Sequence, residues 1–287
     1  MISFPPGLFK AKALRALKGN WQTALLITFF STILFTLTRM MQAVSLPDIS
    51  ALPAILSSGD FAAYLRMVDA INAVPLSTWS AYGMILAFTL LASPMLELGK
   101  SHYYLCRLRG VELGFTGLFS RMRYWGKALL LSIIIFIKVF LWSLLLFVPG
   151  VIATIRYRMA YYFLAEDPSI SAWTAVEKSK QVMKNTKMSY FFLELSFLVW
   201  TLLSTTLQLM FGQSSAVFSL IIGQCLGLLI STYMDGSVTA FFLTVSDPAA
   251  MKLVQNADFS AWMDHPPTKP PENNASSGDS DQSGSSS

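Results

Sequence analysis

Charge is what this chain has least of. Only 13% of its 287 residues are Asp, Glu, Lys or Arg, while 54% are hydrophobic; soluble domains carry about 25% charged residues. So few charges cannot keep a large surface wetted, which excludes an ordinary water-soluble domain and leaves the bilayer as the solvent. Cysteine and histidine are equally scarce, two of each. Cys106 and Cys225 form no CxxC pair and have no histidine at metal-ligand spacing, so neither a disulfide framework nor a metal site is expected. His102 and His265 have no partner spacing, and no HExxH, GxSxG, Walker or GxGxxG pattern occurs. The expectation is a non-catalytic protein with no cofactor. The net charge of +5 is not gathered into a basic domain with interleaved aromatics, so nucleic acid is not an expected partner.

What is present is a set of long apolar runs. A span needs about 20 mostly apolar residues, and residues 20–41, 79–99, 128–148, 188–210 and 215–245 meet that. A basic stretch, residues 1–19, precedes the first run, which is longer than a signal-peptide core and has no clear cleavage site. It reads as a retained span behind an amphipathic helix. The connections are asymmetric. Residues 100–127 hold six cations against Glu112, and 166–187 hold Lys178, Lys180, Lys184 and Lys187 against three acids. Residues 42–78 hold only Arg66 against three aspartates. The positive-inside rule then puts both termini in the cytoplasm and 42–78 outside.

That charge pattern needs one more crossing between residues 149 and 170, and only 151–165 can supply it. Pro149 and Gly150 suit a tight reversal before it. The arm is expected to be either a short span or a re-entrant helix, because 15 residues reach about 22 Å against a hydrocarbon core of ~30 Å. Its apolar side chains gain roughly 2.5 kcal/mol on insertion, against about 5 kcal/mol for Arg156 and Arg158, so it must lie against other helices. The expected fold is therefore all-α, a polytopic membrane helical bundle of about six membrane segments in three hairpins with basic cytoplasmic amphipathic helices. Within 42–78, residues 59–73 place Phe61, Leu65, Val68 and Ile71 on one helical face. Residues 171–187 begin at Ser171, an N-cap candidate. Residues 247–287 form a cytoplasmic tail, expected to be disordered from about 264 because it is Pro- then Ser-rich without an apolar pattern.

The stretch LFVPGVIATIRYRMAYYFLAEDPSISAWTAVEKSKQVM (146–183) resembles the hallmark of a bacterial integral-membrane family, domain of unknown function 975. Pro149-Gly150, Tyr157 to Ala160, Leu164-Ala165-Glu166-Asp167-Pro168, and Ala175 with Ser179 and Met183 carry the likeness. KGNWQTALLI (18–27) and SPMLELGKSHYYLCRLRG (93–110) are also similar to the family's first span and second-span exit. The resemblance implies a multi-pass helical bundle of the bacterial cytoplasmic membrane and no particular reaction.

Ionisable residues inside spans are expensive and usually functional. Lys138, Arg156, Arg158 and Glu194 are candidates for an intramembrane cluster. Two readings stand, a polar path for a small solute or anion in a transporter or channel, and a structural ion pair with snorkelling side chains. Glu97 and Asp235 read as interfacial anchors. Lys10, Lys12, Arg15, Lys18, Lys178, Lys180, Lys184 and Lys187 are candidate contacts for anionic lipid. The leading expectation is a scaffold or accessory protein whose partners are the lipid bilayer, anionic lipids, and another membrane protein or a second copy of itself.

Overall fold

In the computed structural model, which describes residues 4–45, 52–212 and 216–265, the chain is helical throughout, with no strand among the described residues. α1 (Pro6–Leu17) starts with proline at its first position and buries Phe9, Ala13 and Leu17 at i, i+4 and i+8. It ends before Gly19, whose φ of 87° is open to a residue without a Cβ. α2 (Trp21–Ser45) follows, then the short α3 (Leu52–Ser58) and α4 (Phe61–Asn72), the latter capped by Asp60 accepting from the Ala63 N–H. α5 (Leu76–Leu108) leads through two 3-10 turns to α6 (Trp125–Leu145), α7 (Phe147–Tyr157) and α8 (Ala160–Glu166). α9 (Ala172–Val182) is capped by Ser171, whose hydroxyl accepts from the Thr174 N–H. α10 (Lys187–Gly212), α11 (Ala216–Ser246), α12 (Pro248–Gln255) and α13 (Phe259–Asp264) complete the order.

Among the described residues, five helical segments are long and apolar enough to cross a membrane: Trp21–Thr38, Leu76–Leu108, Phe115–Leu145, Lys187–Gln208 and Ile222–Ser246. The protein is thus multi-pass by helix length and composition. The sixth expected segment is not of this kind. It is split at Arg158 and Met159 into α7, 11 residues, and α8, seven residues, and α7 alone rises only about 16 Å. α5 also differs from the expected 79–99, running on to Leu108. The tail beyond residue 265 lies outside the described residues, as do residues 46–51 of the 42–78 connection.

Hairpins organise the bundle. α2 and α5 are antiparallel and joined by two buried hydroxyl bridges, Thr28 to Tyr104 and Thr38 to Thr89, each 2.8 Å. Such bonds are effective glue where no water competes. α10 and α11 are antiparallel, with Phe197 on Tyr233 and Tyr190 on Phe241 at centroid distances of 5.4 and 5.5 Å. α7 returns along α6, since Lys138 faces the Tyr157 ring at 5.5 Å while Gly150 abuts Ser143. The reversal is made by extended Leu146, not by the Pro-Gly pair. Pro149 sits in the first turn of α7, where its missing N–H costs nothing. Gly150 has another purpose, because a Cβ there would lie 2.3 Å from Ser143 Oγ.

The three hairpins pack most closely at one end. There Phe9, Leu98, Leu105, Met159, Leu164, Tyr190, Phe241 and Trp262 belong to one buried cluster. α11 is its centre, with 61% of its apolar span buried against 11% for the segment containing α6. Lys12 reaches the carbonyl of Trp262, Arg107 that of Ala16, and Lys127 those of Pro168, Ser169 and Ile170. The basic segments 1–18, 100–127 and 166–187 therefore meet at this common basic end.

Candidate functional site

α5 carries Glu97 and Lys100, three residues apart and so on one helical face. α11 brings Asp235 against them, and the break between α7 and α8 brings Arg158. Lys100 Nζ lies 2.8 Å from Glu97 Oε2 and 3.2 Å from Asp235 Oδ2. Arg158 Nη1 lies 4.0 Å from the other Glu97 oxygen. Two cations thus face two carboxylates across three hairpins. Lys100 stands eight residues before the end of α5, or about 12 Å from that basic end.

Polar side chains surround the four charges. Tyr190 donates to Glu194 at 2.5 Å and lies within electrostatic reach of Arg158. The Thr239 hydroxyl donates to the Asp235 carbonyl at 2.7 Å and approaches the Tyr162 hydroxyl at 3.3 Å. Burial is uneven. Lys100 and Asp235 expose 10% and 4% of their side chains, Arg158 and Glu97 31% and 28%. The first pair is enclosed, and the second is partly exposed. Among the described residues, Arg158 Nε is buried without a hydrogen-bond partner.

The four residues expected to cluster are divided. Glu194 accepts from Tyr190 and, among the described residues, makes no ion pair with the four charges. Arg158 is in the network. Lys138 is not, since its ammonium sits 4.1 Å from the Trp173 ring centroid and 5.5 Å from that of Tyr157. Arg156 contributes its carbonyl, which accepts from the Ser179 hydroxyl at 2.8 Å. Glu97 and Asp235, which the sequence alone suggests as interfacial anchors, are its carboxylates, and Lys100, by sequence one of six cations in the 100–127 connection, is its central cation. Glu97 and Lys100 at i and i+3 were the available signal.

The basic helices are docked rather than loose. Lys12 donates to the Trp262 carbonyl at 3.1 Å and lies over its ring at 4.5 Å. Arg15 pairs with Asp264 at 2.8 Å. Lys10 donates to the Ser196 carbonyl at 3.4 Å and sits 4.2 Å from the Phe197 ring centroid. Burial lowers the pKa of both Lys10 and Lys12 below the usual lysine range. On α9, Lys180 pairs with Glu177 at 3.2 Å and Lys178 lies 6.0 Å from the Phe163 ring centroid. Lys18 and Lys184 are exposed, and Lys187 half-buried.

A cleft of about 380 Å³ opens at this end, lined by Lys12, Arg15, Arg107, Arg109, Asp264 and His265. Its arginines are engaged, Arg107 by Glu112, Arg109 by Glu166 and Arg15 by Asp264. His102 and Cys106, one turn apart on α5, do come together, with Sγ 3.7 Å from Nε2. Among the described residues no three His, Cys, Asp or Glu groups gather as metal ligands would.

A family model described as "Protein of unknown function (DUF975)" matches residues 9–249. The 146–183 stretch lies wholly inside that match. No curated protein and no solved structure matches the chain.

Proposed function

The chain belongs to the DUF975 family, whose function is not known, and from that premise we propose a non-catalytic membrane scaffold or accessory protein. It sits in the bacterial cytoplasmic membrane with its basic end in the cytoplasm. There it binds anionic lipid and membrane partners, another protein or a second copy, through its basic helices. The observation that carries this reading is the balance of the buried network. Lys100 and Arg158 are matched by Glu97 and Asp235, at contacts of 2.8, 3.2 and 4.0 Å. A neutral network spread over three hairpins fixes their positions, as buried charge pairs do when they specify one arrangement. The platform it locks, α1 with α8, α9, α12 and α13, presents Lys18 and Lys184 to the surroundings. The test is retention of anionic lipid or a partner through detergent purification, combined with flux in proteoliposomes. Retention without flux supports the scaffold.

A second reading rests on Arg158. Its Nε is buried without an acceptor among the described residues, and its side chain and that of Glu97 are partly exposed. An anion crossing the membrane would find a donor there. Anion flux that Arg158→Gln removes without loss of folding would establish this transporter reading and displace the scaffold.

A further inference from the structure

Beside Lys10, the exposed outer side of the α10–α11 pair carries an apolar groove of about 460 Å³, lined by Trp21, Trp200, Leu207, Leu226 and Tyr233 among others, with Lys10 at one end. Trp200, Leu203 and Leu229 leave 57%, 52% and 45% of their surface open along it. On α10 the lining runs from Phe197 to Leu207, about 15 Å of helix, which is the depth of one leaflet of a ~30 Å hydrocarbon core. Among the described residues, Lys10 is its only charged lining residue. The Lys10 ammonium touches a carbonyl and a ring and, among the described residues, pairs with no carboxylate. The other cations of α1 differ, Arg15 facing Asp264 at 2.8 Å and Lys12 lying within electrostatic reach of Asp247 and Asp264.

We infer that this groove holds one acyl chain of an anionic phospholipid, with the headgroup phosphate on Lys10. An apolar slot one leaflet deep accepts a hydrocarbon chain. A cation without a counter-ion at its mouth selects the headgroup by charge, and the phosphate offsets the burial of the ammonium. Trp21, with its amphipathic ring, flanks the headgroup level. The site specifies the lipid arm of the function proposed above and rests on it.

The test is native mass spectrometry of the intact protein in detergent, titrated with phosphatidylglycerol or phosphatidylcholine of identical chains. One bound phosphatidylglycerol is expected at a concentration about fivefold lower than phosphatidylcholine, the preference one interfacial lysine supplies. Lys10→Gln removes that preference, weakening phosphatidylglycerol more than phosphatidylcholine, whose phosphate is already balanced by its choline. Leu226→Trp, which fills the slot, weakens both lipids, and the double variant Lys178→Gln/Lys180→Gln on α9, which touches only the diffuse basic surface, loses less of the preference than Lys10→Gln. Retained preference in Lys10→Gln, or undiminished binding in Leu226→Trp, overturns the site. If the α9 variant loses as much as Lys10→Gln, the basic end binds anionic lipid diffusely, and the groove site falls while the scaffold reading stands. If the unaltered protein shows no preference and retains no partner, both fall.

Discussion

Lys100 on α5 and Asp235 on α11 meet at 3.2 Å with 10% and 4% of their side chains exposed, so each is the other's main compensation for leaving water. Removing one member of a buried pair strands the other, at a cost of about 3–5 kcal/mol. Lys100→Met is therefore expected to lower the thermal unfolding midpoint in detergent sharply. Lys100→Met combined with Asp235→Asn is expected to recover much of the loss, because the surviving Glu97 still has Arg158. Equal midpoints for the single and double variants would show that the pair is not coupled.

The same pair explains what the sequence concealed. The apolar runs placed α2, α6, α10 and α11 to within a few residues, since lipid imposes length and composition directly. α5 was expected to stop at residue 99 because Lys100 looked like a boundary charge, whereas the helix continues to Leu108 with Lys100 neutralised from α11. Periodicity reports which face of a helix is apolar, not which helix lies opposite. Hence Arg158 could be suspected from its cost in the membrane, while Asp235 as its neighbour could not. Lys138 misled for the same reason, its compensation being the rings of Trp173 and Tyr157 rather than a carboxylate.

Two glycines separate close approach from mere helix composition. A Cβ at Gly99 would stand 1.8 Å from the Leu118 carbonyl oxygen, whereas among the described residues nothing lies within 4 Å at Gly227. Gly99→Ala should destabilise by about 1–3 kcal/mol, since backbone must shift. Gly227→Ala should be neutral or stabilise by up to ~1 kcal/mol through helix propensity. Chemical unfolding of the two variants side by side checks the difference.

Asp247 ties α12 and α13 together. It accepts from the Ala249 N–H at 2.9 Å and from His265 at 3.0 Å. Burial pushes its carboxyl up, but those hydrogen bonds and the imidazole outweigh burial and hold it below the usual carboxylate range. A carboxyl depressed in the folded state stabilises it fully above the unfolded value of about 4 and loses that contribution as pH falls through the folded value. Limited proteolysis of the α12–α13 segment is expected to accelerate as pH drops from neutral into that range. Asp247→Asn should show fast cleavage at neutral pH and little further change.

Sidedness is open to direct labelling. With Cys106 and Cys225 replaced, a cysteine at exposed Asn185, next to the basic end, should react with an impermeant reagent only after the membrane is opened. One at exposed Ser77, at the start of α5, should react in intact cells. The reverse pattern would invert the orientation. Reaction of both sites in intact cells would break the hairpin topology itself.

The central place of α11 has a consequence for how the molecule is made. Lys12 and the Trp262 carbonyl it holds are 250 residues apart, and α1 packs Phe9 against Phe241 of α11. During synthesis α1 leaves the ribosome long before its seat exists, and Glu97, Lys100 and Arg158 enter before Asp235 arrives to balance them. Until α11 inserts, Lys100 and Arg158 have only Glu97 of the network's two carboxylates, and α1 is an amphipathic helix with nowhere to dock. Insertion of α11 is thus the step that closes the assembly, and a nascent chain stopped short of it should be the species that membrane quality control destroys.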